Sequence, residues 1–226
     1  MTTTFLAITN TFTHVTVGLF YDQQCVDTLT TTTHHVSKDL VPHISELLKI
    51  NKIPLAHITF VAVNRGPGPF TTLRSVIASA NGLSFATTIP LVGVDGMKAF
   101  LAEFNSPLFP YTIALFNAFN KDVYFGIKTP TSEEIGYKNG EQLLIELSKQ
   151  LNQHQVRFIG SGTKLLHPLL VTYFKDRAYI PDPIPMSASI EQIGRVGLSQ
   201  FLTQQGVTRQ LNPLYLKKIE YQKAPR

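Results

Sequence analysis

Two glycine turns stand where a backbone could cradle a phosphate. Gly66-Pro67-Gly68-Pro69 follows the β-branched run Ile58 to Val63, and Gly160-Ser161-Gly162-Thr163-Lys164 follows Val156 to Ile159. Each lies between a predicted strand and a predicted helix, where unpaired amides and the helix dipole favour an anion. Neither carries the full chemistry. The first is not a dinucleotide fingerprint, because Thr71 stands where a third glycine is required, and the second lacks the Lys-Ser/Thr ending of a P-loop. A structural turn is the default for the second, with residual phosphate binding as the alternative.

Metal and nucleophilic chemistry find less support. No pair among His14, His34, His35, His43, His57, His154 and His167 has the two-on-one-helix spacing around a glutamate that zinc hydrolases use. No nucleophile beside a base can be read from the chain, so we assign no catalytic residue and no metal ligand. The single cysteine, Cys25, lies in a β-run and cannot staple a fold, which points to a reducing compartment. Met1 to Asn10 lacks the basic start and apolar core of a leader, and no run approaches the ~18 apolar residues of a membrane helix. A cytoplasmic location is expected. The net charge of +5 comes entirely from the second half: residues 1–105 hold six Lys/Arg against six Asp/Glu, and residues 106–226 fourteen against nine. The closing KKIEYQKAPR is a basic tail, read as a solvated terminus with nucleic-acid contact as the alternative.

The elements that must position these residues follow from periodicity. Phe5 to Thr9, Val15 to Tyr21 and Cys25 to Thr31 read as strands, and Ser37 to Ile50 as a helix with Val36, Leu40, Val41, Ile44, Leu47 and Leu48 on one broad stripe. Pro42 lies inside it and predicts a kink or an irregular first turn. After the strand Ile58 to Val63 and the proline-glycine turn, Thr71 is the expected N-cap of a helix running to Ala86. That helix carries Leu73, Val76, Ile77, Ala80 and Leu83 on one side, and Ser75, Ser79, Gly82 and Ala86 on the other. The small residues leave a groove in which another helix could pack. Leu91 to Val94 and Gly96 to Phe104 complete a first lobe, 1–105, and Asn105 to Pro110 marks the boundary. In the second lobe, 106–226, the strands Tyr111 to Phe116, Val123 to Thr129 and Glu134 to Tyr137 precede the helix Glu141 to Leu151. Val156 to Ile159, a helix from Lys164 to Phe174, Ala178 to Ile180 and a long helix from Ile190 to Gln205 follow. The same order of elements thus occurs twice, predicting an α/β fold with one helix-flanked mixed sheet per lobe.

The residues also carry a family likeness. The run Gly66-Pro67-Gly68-Pro69-Phe70-Thr71-Thr72-Leu73-Arg74 resembles the central motif of the bacterial TsaB (YeaZ) family, whose members support the synthesis of threonylcarbamoyladenosine in tRNA. Leu6 to Ile8, the Leu-Val-Pro-x-Ile core of Leu40 to Ile44, Pro90 to Val94 and Pro213-Leu214-Tyr215-Leu216-Lys217 match further family marks in order. The likeness is dense in the first lobe and thinner after Asn105. It implies the two-lobed, ribonuclease H-like fold of actin, Hsp70 and the sugar kinases. It also implies that the first two helices pair with the catalytic paralogue TsaD, which transfers the threonylcarbamoyl group. TsaE is a further partner, tRNA an indirect one, and self-pairing through the same seam is expected of the isolated chain.

On that basis the partner-binding residues are Leu40, Ile44, Leu47, Ser75, Ala78, Ser79, Gly82 and Ala86, and the motif turn is Gly66, Pro67, Gly68, Thr71 and Arg74. Three departures from the family pattern bear on chemistry. Thr9 stands where an acidic residue is usual, Pro69 and Thr72 replace a serine and a glycine, and Asn117-Ala118-Phe119 replaces Asp-Ala-Arg. In active members of the superfamily, such acids hold the magnesium that bridges nucleotide phosphates. Their loss favours a non-catalytic scaffold without a cofactor, apart from weak residual nucleotide binding. A nucleotide-dependent phosphotransferase of the same fold is the alternative.

Overall fold

The computed structural model describes residues 2–217, so the basic tail lies outside the described residues except for Lys217. Side chains alternate along strands β1 (Thr4–Asn10), β2 (His14–Tyr21) and β3 (Gln24–Thr32), which form an antiparallel meander. Helix α1 (Val36–Ile50) and strand β4 (Val61–Asn64) follow, then α2 (Phe70–Thr87), β5 (Leu91–Val94) and α3 (Gly96–Glu103). Parallel pairing of β4 with β1 and of β5 with β4 completes the mixed order β5-β4-β1-β2-β3. The second half repeats it. Strands β6 (Thr112–Asn117), β7 (Asp122–Lys128) and β8 (Glu133–Asn139) form a meander. Then come α4 (Gly140–Gln150), β9 (Val156–Ile159), α5 (Ser161–Leu165), α6 (His167–Phe174) and β10 (Ala178–Tyr179), giving the order β10-β9-β6-β7-β8. Both sheets thus have the 3-2-1-4-5 order of the ribonuclease H-like fold.

The expected duplication is present, but the lobe division needs a correction. Helix α7 (Ile190–Leu202) and strand β11 (Val207–Thr208) belong by sequence to the second half, yet α7 packs on the first sheet and β11 pairs with β5. The cause is a period-two pattern that is apolar on both faces. In β1, Leu6 and Ile8 turn toward α1 and α2, while Phe5 and Ala7 face the opposite way. That second face needs a cover, and Ile190, Ile193 and Leu198 of α7 supply it, together with Met97 and Phe100 of α3. The same cluster takes in Ala114, Phe116 and Ile159 of the second sheet, so α3 and α7 lie between the lobes and join them. A separate core of Leu143, Leu144, Leu147, Phe158, Leu170 and Phe174 fills the outer side of the second sheet.

Local details differ from the sequence reading in two places. Helix α2 begins at Phe70 with Pro69 as its N-cap, and no side chain caps it; Thr71 is already inside and exposed. Pro69 at φ −58° and ψ 125° starts the helix two residues earlier than a Thr71 cap would, its carbonyl accepting from the Leu73 amide at 2.9 Å. The helix expected from Lys164 to Phe174 is two helices, broken at Leu166 ahead of Pro168. Helix α1, by contrast, continues through Pro42, which is exposed.

Close approach of α7 to the sheet depends on two glycines. A Cβ at Gly194 would meet the Phe20 ring at 2.5 Å, and one at Gly197 would collide with Ala62 of β4. We expect Gly197→Leu to lower the unfolding free energy in a urea titration by about 1–3 kcal/mol, the usual cost of overpacking; an unchanged midpoint would mean that α7 does not sit on the sheet. Cys25 offers a second check. Burial, and next the Glu191 carboxylate, push its thiol up from 9.0 to about 11. The folded thiol holds its proton more tightly than the unfolded one, so its contribution to stability is whole below pH 9.0 and disappears as pH rises through about 11. At pH 8, iodoacetamide should modify Cys25 roughly a hundredfold more slowly in the folded chain than in urea, in proportion to the thiolate present. Equal rates would contradict that placement.

Candidate functional site

The central turn is held by its own backbone. Gly66 adopts φ 110°, a left-handed angle, and a Cβ there would meet Leu73 at 3.0 Å, so the position requires glycine. Its amide donates to Asn64 Oδ1 at 2.9 Å, and its carbonyl accepts from Gly96 N at 2.8 Å at the start of α3. The neighbouring Arg65 donates its amide to Val94 O and accepts from Leu214 N, each at 2.9 Å. Pro67 is buried and Gly68 half-buried against Asn10. These groups are spent on joining β4, α2, α3 and the C-terminal segment. The turn is a structural hub rather than an open phosphate cradle.

Arg74, the last residue of the motif, connects two sequence marks that are far apart in the chain. Its Nε donates to the Tyr215 hydroxyl at 2.8 Å, and its guanidinium lies 3.8 Å from the centre of the Phe70 ring. Asn81 on the same helix exchanges two bonds with Leu211, accepting from its amide at 2.8 Å and donating to its carbonyl at 3.0 Å. Lys217 then reaches the second lobe, 3.6 Å from Asp122 and 4.9 Å from the centre of the Tyr137 ring. Residues 211–217 therefore form a strap from α2 to the β7–β8 hairpin. Tyr137 donates to Asp122, and burial with that bond raises the phenol above its ordinary range.

The glycine turn of the second lobe is likewise occupied. Gly160 N donates to Pro185 O at 2.7 Å and Thr163 Oγ1 to Ile159 O at 2.8 Å, while Ser161 Oγ accepts from Asn117 N at 3.3 Å. Thr9 and Asn117, at the ends of the two first strands, are neutral. Asn64 donates to the Thr9 hydroxyl at 3.5 Å, and Asn117 Oδ1 accepts from Phe119 N at 2.8 Å. Among the described residues no three His, Cys, Asp or Glu side chains cluster as metal ligands.

The expected partner-binding residues separate into two groups. Leu40, Ile44 and Leu47 are 1%, 4% and 0% exposed and belong to the lobe's own core, so they are not available to another chain. Their stripe is wide, and the sheet takes its apolar centre. The outer side of α1 presents Val41 and Ile50 instead, which are 51% and 57% exposed. On α2, Ala78, Gly82 and Ala86 are exposed, with Ser75 and Ser79 half-buried at their edge. The sequence reading missed Phe85. It is 91% exposed on the same face, three residues past Gly82 and seven past Ala78, a spacing that was available in the sequence. Among the described residues nothing requires glycine at Gly82, because a Cβ there meets nothing within 4 Å.

Comparison with known proteins adds to this geometry. The family described as "TsaD: tRNA N6-adenosine threonylcarbamoyltransferase" matches residues 30–179. A tRNA threonylcarbamoyladenosine biosynthesis protein TsaB from Buchnera aphidicola is 27% identical over 130 residues, covering 54% of this chain and 59% of the relative. The protein of the same name from Haemophilus influenzae is 29% identical over 125 residues, covering 54% of this chain and 52% of the relative. The chain thus spans little more than half the length of these curated relatives. A Pseudomonas aeruginosa structure, described as an uncharacterized protein with similarity to peptidase YEAZ, superposes over 95% of this chain and 100% of that one. Its TM-score is 0.72 at 19% identity, which establishes the fold. No helix among the described residues is long and apolar enough to cross a membrane. With the family match extending over well more than half of the sequence, the chain belongs to the tRNA N6-adenosine threonylcarbamoyltransferase family, and proteins named TsaB are among its relatives.

Proposed function

We propose that this chain is a non-catalytic subunit of the machinery that makes threonylcarbamoyladenosine in tRNA, and that it acts by docking the outer face of α1 and α2 on TsaD. TsaE is the further partner, and tRNA is met through the assembled complex. The observation that carries the reading is the exposed α2 face of Ala78, Gly82, Phe85 and Ala86. A helix that shows a bare aromatic beside small residues offers both a knob and a groove to a second helix. Burying one phenylalanine contributes about 2–3 kcal/mol, enough to set the strength of a seam. The same face would serve a homodimer of the isolated chain.

The neutral pair Thr9 and Asn117 supports the non-catalytic half of the reading. Neither can supply the charge that a magnesium-bridged triphosphate needs on the strand ends. The rival, a phosphotransferase of the same fold, requires binding of magnesium-ATP between the lobes.

Gly82→Glu separates the two. The fold leaves open space at that position, so the variant should keep its midpoint of unfolding or gain slightly from improved helix propensity. Its capture of TsaD in a pull-down should fall by at least about tenfold, as should that of Phe85→Ala, a loss typical of a hot spot. Undiminished capture by both variants, with heat released on titration of magnesium-ATP, would transfer the function from the seam to the cleft.

A further inference from the structure

The inner end of the space between the lobes holds a polar group with nothing to bind. Asn10 closes β1 and is 3% exposed, and among the described residues neither its amide nitrogen nor its amide oxygen has a hydrogen-bond partner. Gly68 lies so close that a Cβ there would stand 2.9 Å from Asn10 Nδ2, which fixes the amide against the central turn. It borders a chamber of about 10 Å³, room for a single oxygen atom, whose walls include Asn64, Phe116 and Ala188. Thr11, Phe12 and Met186 line this chamber and also a wider cavity of about 400 Å³ outside it. Thr13, Thr16, Thr30 and Ser161 bring hydroxyls to the outer cavity, and His14 an imidazole. No Asp, Glu, Lys or Arg is among the described residues lining either space.

We propose that this inter-lobe cleft binds an uncharged, polyhydroxylated small molecule of monosaccharide size, one of whose hydroxyls enters the inner chamber and pairs with Asn10. The unpaired amide offers a donor and an acceptor side by side. A hydroxyl satisfies both, whereas a phosphate or carboxylate can only accept and an ammonium can only donate. Four further hydroxyls line the outer cavity, each in at least one hydrogen bond within the protein and with capacity for another, and the Phe12 ring and Met186 thioether give an apolar wall for the C–H face of a sugar ring. With no Asp, Glu, Lys or Arg among the described residues lining it, the cleft selects against ionic ligands of similar shape, because their desolvation is not repaid. The proposal is independent of the docking reading, since none of the α1 or α2 residues of that seam lines the cleft.

The test is a nuclear magnetic resonance titration of the full chain with D-ribose, D-glucose and myo-inositol, and with ribose 5-phosphate as the charged counterpart. At least one neutral compound should produce saturating shifts of the Asn10 side-chain amide and of the Thr11 to His14 backbone, with a dissociation constant of roughly millimolar order. The phosphate ester should bind at least about tenfold more weakly than ribose. Asn10→Leu and Met186→Glu should each abolish the shifts. Met186 is 48% exposed, so Met186→Glu remains decisive even where the Asn10 variant fails to fold. Absence of saturating shifts up to about 100 mM of every neutral compound, tighter binding of the phosphate ester, or unchanged binding by Met186→Glu would overturn the assignment.

Discussion

Four hydrogen bonds around residues 64–66, three between backbone groups and one to a side chain, determine how the rest of the molecule is arranged. The Asn64 side chain holds the Gly66 amide, Gly66 O receives the first amide of α3, and Arg65 binds Val94 on one side and Leu214 on the other. Each of these partners belongs to a different element. Moving the turn would therefore release β5, α3 and the C-terminal strap together. It would also reorient α2, whose Leu73 packs directly on Gly66. This explains why the motif is so rich in glycine and proline: a turn tied on every side has few conformations open to it.

The second organising constraint is that the first sheet is apolar on both faces. A stack of Phe20, Phe5, Phe60 and Phe201, with successive ring centres 4.9, 4.4 and 4.3 Å apart, runs from β2 across β1 and β4's entry to α7. Such a face cannot be left to water. The chain returns across the whole second lobe to cover it, and the lobes become one body through the helices shared between them. The strap repeats that logic at the surface, beginning on α2 and ending on the β7–β8 hairpin.

Much of this was legible in the sequence. Strand and helix periods located nearly every element, because each has one strongly apolar side and β-branched runs separate cleanly from helical spacing. Pairing between distant elements was not legible. The pattern of Ile190, Ile193 and Leu198 declares that α7 buries a face but not which sheet receives it, and only the fit of Gly194 and Gly197 to Phe20 and Ala62 decides. The assignment of Leu40, Ile44 and Leu47 to a partner failed for a related reason. A broad apolar stripe supports both a core and a seam, and burial resolves the division at Val41. Phe85 was overlooked because aromatic residues in a helix usually point inward.

The two sides of α2 show how a small residue's meaning depends on what it faces. Ala80 is 1% exposed and sits in the core with Val76 and Ile77, so a larger residue there would have to displace the molecule's own packing. Gly82, two residues on, meets no such restriction, and in a helix interior it costs roughly 1 kcal/mol relative to alanine. Thr88, in a left-handed conformation just beyond the helix, shows that backbone geometry needing glycine exists nearby and is not what Gly82 provides. With packing and backbone both set aside as reasons, the absent side chain supports the proposed close approach of a partner from outside. Phe85 makes the complementary case on the same face, since an aromatic ring left in water gains nothing for the isolated chain. A gap that the fold does not need and a projection that it does not use, one turn apart, are what the proposed seam would require of this face.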